Sequence, residues 1–287
     1  DALGAPFEGR RKTQIPSPLP AFELPWKGLP PGTWTDDTAM ARSLSRSLVA
    51  RRGLDVDDVL RRHLEWFATS PPDVGNLTRT VLSWARDGVA DASRRYVEER
   101  GPEVSAGNGS VMYCAPLGVA YARTPERLHE LAPALSAITH WDERCGTACL
   151  AVTLAVAGLV RGEDAERALI DSVRACEGRE GAEELMELVD GAGVARPIDG
   201  PDRGFVFFTA GVALRTAAHA ASFEQGLLDV VALGGDTDTN AAVTGALLGA
   251  REGREALPPA WLARLADRDA IEHEAEALAG LAVAGIG

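Results

Sequence analysis

The chain has 287 residues, 46% of them hydrophobic, and its 29 basic and 42 acidic side chains give a formal net charge of −13 at pH 7. This composition is typical of a globular protein and excludes a disordered or fibrous chain. An acidic chain repels the phosphate backbone, and short basic clusters such as Arg10-Arg11-Lys12 form no continuous stripe, so we expect no nucleic-acid partner.

The cysteines and the apolar runs predict a reduced, cytoplasmic protein. Four cysteines without a CxxC pair are too few to cross-link a chain that can build a large core. Cys145 and Cys149 lie in a run of Ala, Val and Leu, so we interpret them as core thiols rather than metal ligands. The longest apolar runs, 148–160 and 277–287, are shorter than the roughly 18 to 20 residues that span a bilayer, and we expect no membrane contact. Because the chain begins at Asp1 and not at Met, we expect an initial segment before it.

Most of the chain after residue 35 shows helical periodicity in Ala- and Leu-rich segments, whereas strand-type alternation is nearly absent. The sequence therefore predicts an all-α, single-domain bundle over residues 1–287, which we expect to be a monomer. Segment 10–34 carries six prolines and is predicted to be an irregular loop. The predicted helices cover residues 36–52, 55–69, 76–88, 91–100, 109–122, 125–139, 142–161, 163–176, 181–189, 204–219, 222–232, 238–252, 258–266 and 270–280.

Two clusters of oxygen-bearing side chains precede predicted helices that are far apart in the sequence. One is Thr35-Asp36-Asp37-Thr38, and the other is Asp236-Thr237-Asp238-Thr239. Such residues cap helices, because their oxygens accept hydrogen bonds from the first free N–H groups. Each cluster holds more carboxylate than one cap requires, so the alternative is an all-oxygen site for a hard cation such as Mg²⁺ or Mn²⁺ if the clusters meet. The residues alone leave both interpretations open.

Small-residue turns form a second group of candidate features. Ser105-Ala106-Gly107-Asn108-Gly109-Ser110 precedes a predicted helix, where its N–H groups could face an anion such as a diphosphate. Asp73-Val74-Gly75-Asn76 is a similar turn. Gly234-Gly235 either allows the backbone to approach a ligand closely or ends the preceding helix. His140 either contacts a ligand or packs locally.

Taken in chain order, these motifs resemble those of the ADP-ribosylglycohydrolases, the family that contains dinitrogenase reductase-activating glycohydrolase and the eukaryotic ADP-ribosyl-acceptor hydrolases. The first eight residues, Asp1-Ala2-Leu3-Gly4-Ala5-Pro6-Phe7-Glu8, are similar to the family's opening GDxLG…E element. Thr35-Asp36-Asp37-Thr38-Ala39-Met40 is similar to its TDDTxM motif, and Asp73-Val74-Gly75 to its DIG turn. The later motifs follow in the family's order: Gly107–Met112, Pro116-Leu117-Gly118, Thr139-His140, and Gly234–Thr239 with Gly245-Ala246.

The resemblance implies an all-α orthogonal bundle with a binuclear Mg²⁺ centre, sometimes Mn²⁺, at the base of a cleft. The implied reaction is hydrolysis of the bond between C1″ of ADP-ribose and an acceptor in an ADP-ribosylated protein or small molecule, with arginine favoured over serine. The implied catalytic residues are Asp36 and Asp236, which exchange protons, and Glu8, which matches a glutamate that gates the metal centre. The implied metal ligands are Thr35, Asp36, Asp37, Asp236, Asp238 and Thr239. The implied substrate-binding residues are Gly75, Asn76, Ser105, Ala106, Gly107, Asn108, Gly109 and His140.

Two positions depart from the family's pattern. Tyr113 stands where many members have Arg, and Ala106 stands where some have an aromatic residue. These changes leave open the acceptor preference and the packing on the adenosine side. Two other functions remain as alternatives. One is a catalytically silent ADP-ribose-binding or structural protein on the same fold, and the other is a metal-dependent phosphohydrolase.

Overall fold

A computed structural model of the protein describes residues 1–191 and 197–286. In these two ranges the chain forms α-helices and short 3₁₀ turns but no β-strand, which confirms the predicted all-α fold. The helices are α1 (Asp36–Arg51), α2 (Val56–Phe67), α3 (Asn76–Arg86), α4 (Ala92–Arg100), α5 (Ala115–Ala120), α6 (Leu128–Ser136), α7 (Glu143–Val160), α8 (Ala165–Arg174), α9 (Ala182–Asp190), α10 (Val206–His219), α11 (Phe223–Val231), α12 (Thr237–Glu252), α13 (Pro259–Leu262) and α14 (Arg268–Ala284).

Helix α7 is the centre of the bundle. It packs against α5, α6, α8, α10 and α12, and side chains such as Leu150 and Val152 are fully buried. At 18 residues, α7 is longer than the apolar run 148–160 that it contains. Its mean hydropathy is 1.4, so by length and composition alone it could span a membrane. In the structure 78% of the helix is buried inside the protein, so its apolar character is that of a core helix.

Three of the predicted helices are shorter in the structure, two of them at a proline. The predicted helix 109–122 is a 3₁₀ turn, Val111–Tyr113, followed by α5, because Pro116 has no N–H to continue a helical ladder. The predicted helix 125–139 begins with a 3₁₀ turn at Pro125 and becomes α-helical only at Leu128. The predicted helix 258–266 contracts to the four residues of α13.

Segment 10–34 runs as an irregular loop, as predicted, with one 3₁₀ turn at Lys12–Gln14. It is attached to the C-terminal part of the chain, since Gly32 O accepts a hydrogen bond from Ala266 N (3.0 Å). The indole of Trp34 donates to Ala266 O (3.2 Å) at the end of the loop. These contacts fix the direction in which the chain enters α1.

The N-termini of α1 and α12 are brought together by direct packing. The two helices contact each other, and α12 also contacts the 3₁₀ turn Ala5–Phe7. A side chain at Gly4 is excluded, because a Cβ there would lie 2.2 Å from Thr237 O. The first residues of the chain therefore lie against the starts of both helices.

Candidate active site

The start of α1 is capped by a residue from outside the helix. Thr35 occupies the N-cap position, but its side chain makes no capping hydrogen bond. The carboxylate of Asp1 accepts hydrogen bonds from Thr35 N (2.9 Å) and Thr38 N (3.1 Å) instead. Thr35 Oγ1 donates to Asp37 Oδ2 (2.8 Å). Because Asp1 does the capping, the carboxylates of Asp36 and Asp37 are available for another purpose.

The start of α12 follows the same pattern. Asp236 is the N-cap residue and makes no capping bond through its side chain, and Thr237 Oγ1 donates to Gly4 O (2.8 Å). By contrast, the N-cap side chain of α2, Asp55, accepts a bond from its own helix. Capping therefore does not account for the acidic residues at the start of α1 or α12.

Carboxylates from both helix starts and from two loops surround one small cavity. The cavity has a volume of about 220 Å³, and its acidic lining consists of Glu8, Asp36, Asp73, Asp236 and Asp238. One carboxylate oxygen from each of Glu8, Asp73 and Asp238 lies within 4.8 Å of the others. The two clusters seen in the sequence thus meet in space.

Burial and mutual repulsion make four carboxylates at the site poor anions without a cation: those of Glu8, Asp36, Asp37 and Asp238. Burial, followed by the charge of Asp37, raises the pKa of Asp36 to about 7. Burial raises the pKa of Asp37 to about 6, and burial with the charges of Asp236 and Asp37 raises that of Asp238 well above its usual range. Burial and then the charge of Asp73 raise the pKa of Glu8 to about 7. The ring of carboxylates therefore favours a positive partner.

Two carboxylate oxygens in this ring have no hydrogen-bond partner in the described parts of the chain. They are Asp37 Oδ1 and Asp238 Oδ1, and both are buried. An unpaired buried oxygen is costly, and a metal ion is the kind of partner that removes the cost. The donor set is all oxygen, which suits Mg²⁺ or Mn²⁺ and does not suit zinc. The residues present fit the metal centre that the sequence implied.

Two loops orient the carboxylates at the cavity wall. Gly75 N donates to Asp36 Oδ2 (3.1 Å), so the turn before α3 holds the α1 carboxylate. Asn108 Nδ2 donates to Asp236 Oδ2 (2.8 Å) and to Thr209 Oγ1 (2.9 Å), so the second loop holds the α12 carboxylate. Each helix start thus receives one donor from a turn that the sequence singled out.

His140 lines the same cavity as the carboxylates. Its ring is buried and lies against Gly107 and Gly109. A Cβ at Gly109 would lie 2.7 Å from His140 Cε1 and 3.0 Å from its Nε2. Glycine is therefore required at position 109 because of this close approach, which a general preference of turns for glycine would not explain.

The Gly234-Gly235 pair permits a second close approach. Both residues have positive φ angles, 73° and 81°. A Cβ at Gly234 would lie 2.6 Å from Lys12 N, and one at Gly235 would lie 2.4 Å from Ile198 O. The pair thus lets segment 10–12 pack beside the start of α12, with Gly9 N donating to Gly235 O (2.8 Å).

Not all predicted site residues reach the cavity. Gly75, Asn76, Gly107, Asn108, Gly109 and His140 line it, together with Asp36, Asp236, Asp238, Thr239 and Glu8. Thr35 and Asp37 are buried beside it rather than in its lining.

Ser105 and Ala106, the first two residues of the loop, were predicted to bind substrate but do not line the cavity. Ser105 Oγ donates to Asp142 Oδ2 (2.6 Å) at the start of α7. Ala106 O accepts from Val206 N (3.0 Å) at the start of α10. Both residues are drawn inward because they anchor the loop to the two helices that carry it.

The structure adds site residues that the sequence reasoning did not select. Asp73 was noted only as part of a turn, yet its carboxylate lies beside those of Glu8 and Asp238. Lys27 forms an ion pair with this carboxylate, with Nζ 2.8 Å from Asp73 Oδ2. Leu77, Thr78 and Met112 also line the cavity. The place of Asp73 in the DIG-like turn was the sequence signal that could have identified this residue as part of the site.

A larger cavity of about 1000 Å³ opens on another side of His140, next to the exposed Trp141. Its lining includes residues of α2, α4, α6 and α7, such as Leu60 and Pro133, and the segments that connect α3 to α4, α6 to α7 and α8 to α9. None of the six predicted metal ligands lines it. The candidate metal ligands are therefore associated with the smaller cavity and not with this larger one.

Comparisons with known proteins agree with this geometry. A sequence profile of the ADP-ribosylglycohydrolase family matches residues 1–285. The chain belongs to this family. It is therefore an enzyme, a hydrolase of the ADP-ribosylglycohydrolase type.

Individual relatives match over most of their length. The chain is 32% identical to ADP-ribosyl-[dinitrogen reductase] glycohydrolase of Rhodospirillum rubrum, covering 100% of this chain and 93% of that protein. It is 28% identical to the ADP-ribosylhydrolase ARH3 of Gallus gallus, covering 91% of this chain and 84% of the relative. A solved structure described as an ADP-ribosylglycohydrolase-related protein complex superposes with a TM-score of 0.81 at 34% identity, covering 98% of this chain and 93% of that one.

Proposed function

We propose that this ADP-ribosylglycohydrolase is metal-dependent and cleaves the bond between C1″ of ADP-ribose and an acceptor in an ADP-ribosylated protein, releasing ADP-ribose. The observation that carries the proposal is the pair of buried, unpartnered carboxylate oxygens, Asp37 Oδ1 and Asp238 Oδ1, at two helix starts that meet. A binding or structural protein has no need to maintain this costly arrangement.

The proposed acceptor is arginine rather than serine. The relative from Rhodospirillum rubrum is named for an ADP-ribosylated dinitrogen reductase. The protein Tri1 of Serratia proteamaculans, 26% identical over 87% of this chain, is named an ADP-ribosylarginine hydrolase. These names support an arginine linkage in the present protein, and the acidic lining of the cavity suits a cationic guanidinium leaving group.

Six residues are proposed to hold two Mg²⁺ ions, or Mn²⁺: Thr35, Asp36, Asp37, Asp236, Asp238 and Thr239. When bound, such ions lower the pKa of a water and polarise the hydroxyls of the distal ribose. The orientation of the ligands comes from the protein, through the donors Gly75 N and Asn108 Nδ2.

The proton transfers are assigned to carboxylates that line the cavity. Asp36 lines the cavity and is proposed to take a proton from the attacking water and to return one to the leaving group. Asp236 faces the same cavity and is the alternative proton carrier. Glu8, whose pKa is raised to about 7, lies at the exposed edge, where it is proposed to control access to the metal centre. Positive charge that develops at C1″ is stabilised by this carboxylate ring.

The substrate contacts are proposed on the two turns that also orient the carboxylates. Gly75 and Asn76 and the turn Gly107–Gly109 surround the diphosphate and the distal ribose, with His140 beside them. Ser105 and Ala106 contribute by fixing the loop to α7 and α10 rather than by touching the substrate.

The decisive experiment is release of ADP-ribose from arginine- and serine-ADP-ribosylated peptides, each with Mg²⁺ and again with EDTA. We expect metal-dependent release, faster from the arginine peptide. The Asp37→Ala and Asp236→Ala variants should stay folded and lose the activity, because they remove ligands from a cavity and no packing from the core.

Other outcomes would favour the alternatives. ADP-ribose that raises the melting temperature without being released from any peptide indicates a silent binder. Release of adenine nucleotides in place of intact ADP-ribose indicates a phosphohydrolase. Full activity in both Asp variants rules out the proposed centre.

A further inference from the structure

A line of buried polar groups leads from the core to the cavity and ends on His140. Tyr113 Oη lies 3.3 Å from Thr139 Oγ1, and Thr139 Oγ1 lies 2.9 Å from His140 Nδ1. All three side chains are buried. The ring of Tyr113 is held from behind by His63, with the ring centroids 5.1 Å apart in an edge-to-face arrangement. Packing in the core thus fixes the position of the Tyr113 hydroxyl, which contacts Thr139, the partner of His140 Nδ1.

The hydrogen bonds in this line can run in three ways. In one of them both Tyr113 and Nδ1–H donate to Thr139 Oγ1, which has two lone pairs, but the Thr139 hydroxyl proton is then left without an acceptor among the described residues. The other two ways run in opposite directions. In the first, Tyr113 donates to Thr139, and Thr139 donates to His140 Nδ1. In the second, Nδ1–H donates to Thr139, Thr139 donates to Tyr113, and Tyr113 must donate to Leu135 O. That last contact is 3.5 Å long, beyond the usual range for an O–H···O bond. Leu135 O also already accepts from Ile138 N (3.3 Å). The first direction is therefore favoured.

The surroundings of the other ring nitrogen agree with the first direction. Nε2 makes no hydrogen bond to any residue in 1–191 or 197–286, and the His140 ring lines the cavity. The cavity is lined by five carboxylates, among them Asp36 and Asp236, and by four side chains that can donate or accept: Asn76, Thr78, Asn108 and Thr239. A protonated Nε2 complements this mainly anionic lining and any anionic ligand, whereas a lone pair there does not.

We propose that Tyr113 and Thr139 are positioning residues that hold His140 in the Nε2–H tautomer, so that the ring donates a hydrogen bond into the cavity to an oxygen of the substrate's diphosphate. The identity of this ligand rests on the proposed function, and the tautomer does not. Tyr113 thus has a role of its own at a position where arginine is common in the family.

The charge states of the groups are consistent with such a line. Burial lowers the pKa of His140 to about 4, so the ring is neutral at pH 7 and has one proton to place. Burial raises the pKa of Tyr113, which keeps its hydroxyl protonated and able to donate.

The tautomer is measured directly by long-range ¹H–¹⁵N NMR of the histidine rings, because the protonated and unprotonated ring nitrogens differ in chemical shift. The protein has five histidines, and His140→Gln assigns the signal of interest by its disappearance. We expect the Nε2–H form in the wild type and in Thr139→Ser, and a mixture of tautomers in Thr139→Val. An Nδ1–H ring in the wild type, or an unchanged ring in Thr139→Val, overturns the proposal.

Affinity for ADP-ribose provides the functional readout. Thr139→Val should weaken ADP-ribose binding about tenfold, the effect of one lost hydrogen bond to an anion. Thr139→Ser should restore binding, and Tyr113→Phe should give a smaller loss. In peptide hydrolysis the change should appear in KM more than in kcat, since the proposed role of His140 is to bind the diphosphate and not to act at C1″. Equal affinity in Thr139→Val and the wild type would also overturn the proposal.

The two proposals fail in different ways. If the wild type neither binds ADP-ribose nor releases it, the proposed function is wrong, while the NMR experiment still decides the tautomer. If the wild type is active and His140 is the Nδ1–H form, only the inference on Tyr113 and Thr139 is wrong.

Discussion

Asp1 and Thr38 are joined by two hydrogen bonds: the Asp1 carboxylate accepts one from the Thr38 backbone N–H (3.1 Å) and one from its hydroxyl (2.5 Å). Capping of α1 was one of the two interpretations of Thr35-Asp36-Asp37-Thr38. In the structure Asp1 caps the helix instead. This exchange of roles leaves Asp36 and Asp37 free to face the interior of the site.

The first prediction concerns this cap. Asp1→Ala should lower the free energy of unfolding by about 1 kcal/mol, the usual value of an N-cap. It should also reduce the stabilisation by Mg²⁺, because Asp1 holds the backbone of Thr35, and the Thr35 hydroxyl in turn donates to the Asp37 carboxylate. Urea denaturation with and without Mg²⁺ measures both effects. Asp1→Asn, which keeps an acceptor oxygen, is the control, and equal stability of Asp1→Ala and Asp1→Asn would argue against the cap.

The second prediction concerns pH in the absence of metal. The pKa values of Asp36 and Asp37 are raised to about 7 and about 6, so the folded protein binds more protons than the unfolded chain above about pH 4. Their contribution to stability is present below that pH and is lost as the pH rises through 6 to 7. The two buried histidines His63 and His140 have lowered pKa values and act in the opposite direction below about pH 6.5.

A comparison of variants separates the two effects. In EDTA, the free energy of unfolding of Asp37→Asn minus that of the wild type should grow between pH 4 and pH 7, because the histidines contribute equally to both proteins. Chemical denaturation over this pH range measures the difference. Added Mg²⁺ should reverse it at pH 7 by stabilising the wild type alone. A difference that does not change with pH would mean that the pKa of Asp37 is not raised in the folded protein.

The third prediction concerns Asn108. Its amide donates to Asp236, so Asn108→Ala should weaken Mg²⁺ binding by about 10-fold to 100-fold while the fold is retained, as for other groups that orient a metal ligand. Thr209→Val removes the other contact of the same amide and the bond from Thr209 Oγ1 to Asn240 Oδ1 (2.8 Å), but it keeps the bond from Asn108 to Asp236 and should have a smaller effect on Mg²⁺ affinity. Isothermal titration with Mg²⁺ compares the two. Equal affinity in Asn108→Ala and the wild type would show that Asp236 needs no such support.

The fourth prediction concerns glycine. Gly234→Ala should destabilise the protein by about 1 to 3 kcal/mol, because φ is +73° and the new Cβ would lie 2.6 Å from Lys12 N. Gly249→Ala in the last turn of α12 meets nothing within 4 Å and should instead stabilise the protein by about 0.5 to 1 kcal/mol. Thermal unfolding of the pair gives changes of opposite sign. The same sign in both would mean that segment 10–12 adapts to the added methyl group.

Local patterns in the sequence predicted most of the fold. Helical periodicity reflects contacts between residues three and four positions apart, so it located nearly every long helix, and the prolines of segment 10–34 marked the irregular loop. Where a proline sits inside a helical pattern, as Pro116 does, the pattern alone overestimated the helix. The motifs in their order were also sufficient to identify the family.

The tertiary structure decided how the site residues are used, because the partner of a buried polar group is set by what packs next to it and not by its neighbours in the chain. Only packing shows that Asp1 caps α1, that Asp73 joins the carboxylates, and that Ser105 turns inward to Asp142. The same holds for Asp37 and Asp238, whose oxygens lack partners because two distant helix starts are pressed together. Sequence thus determined which groups are present, and burial determined which of them remain free to bind a cation.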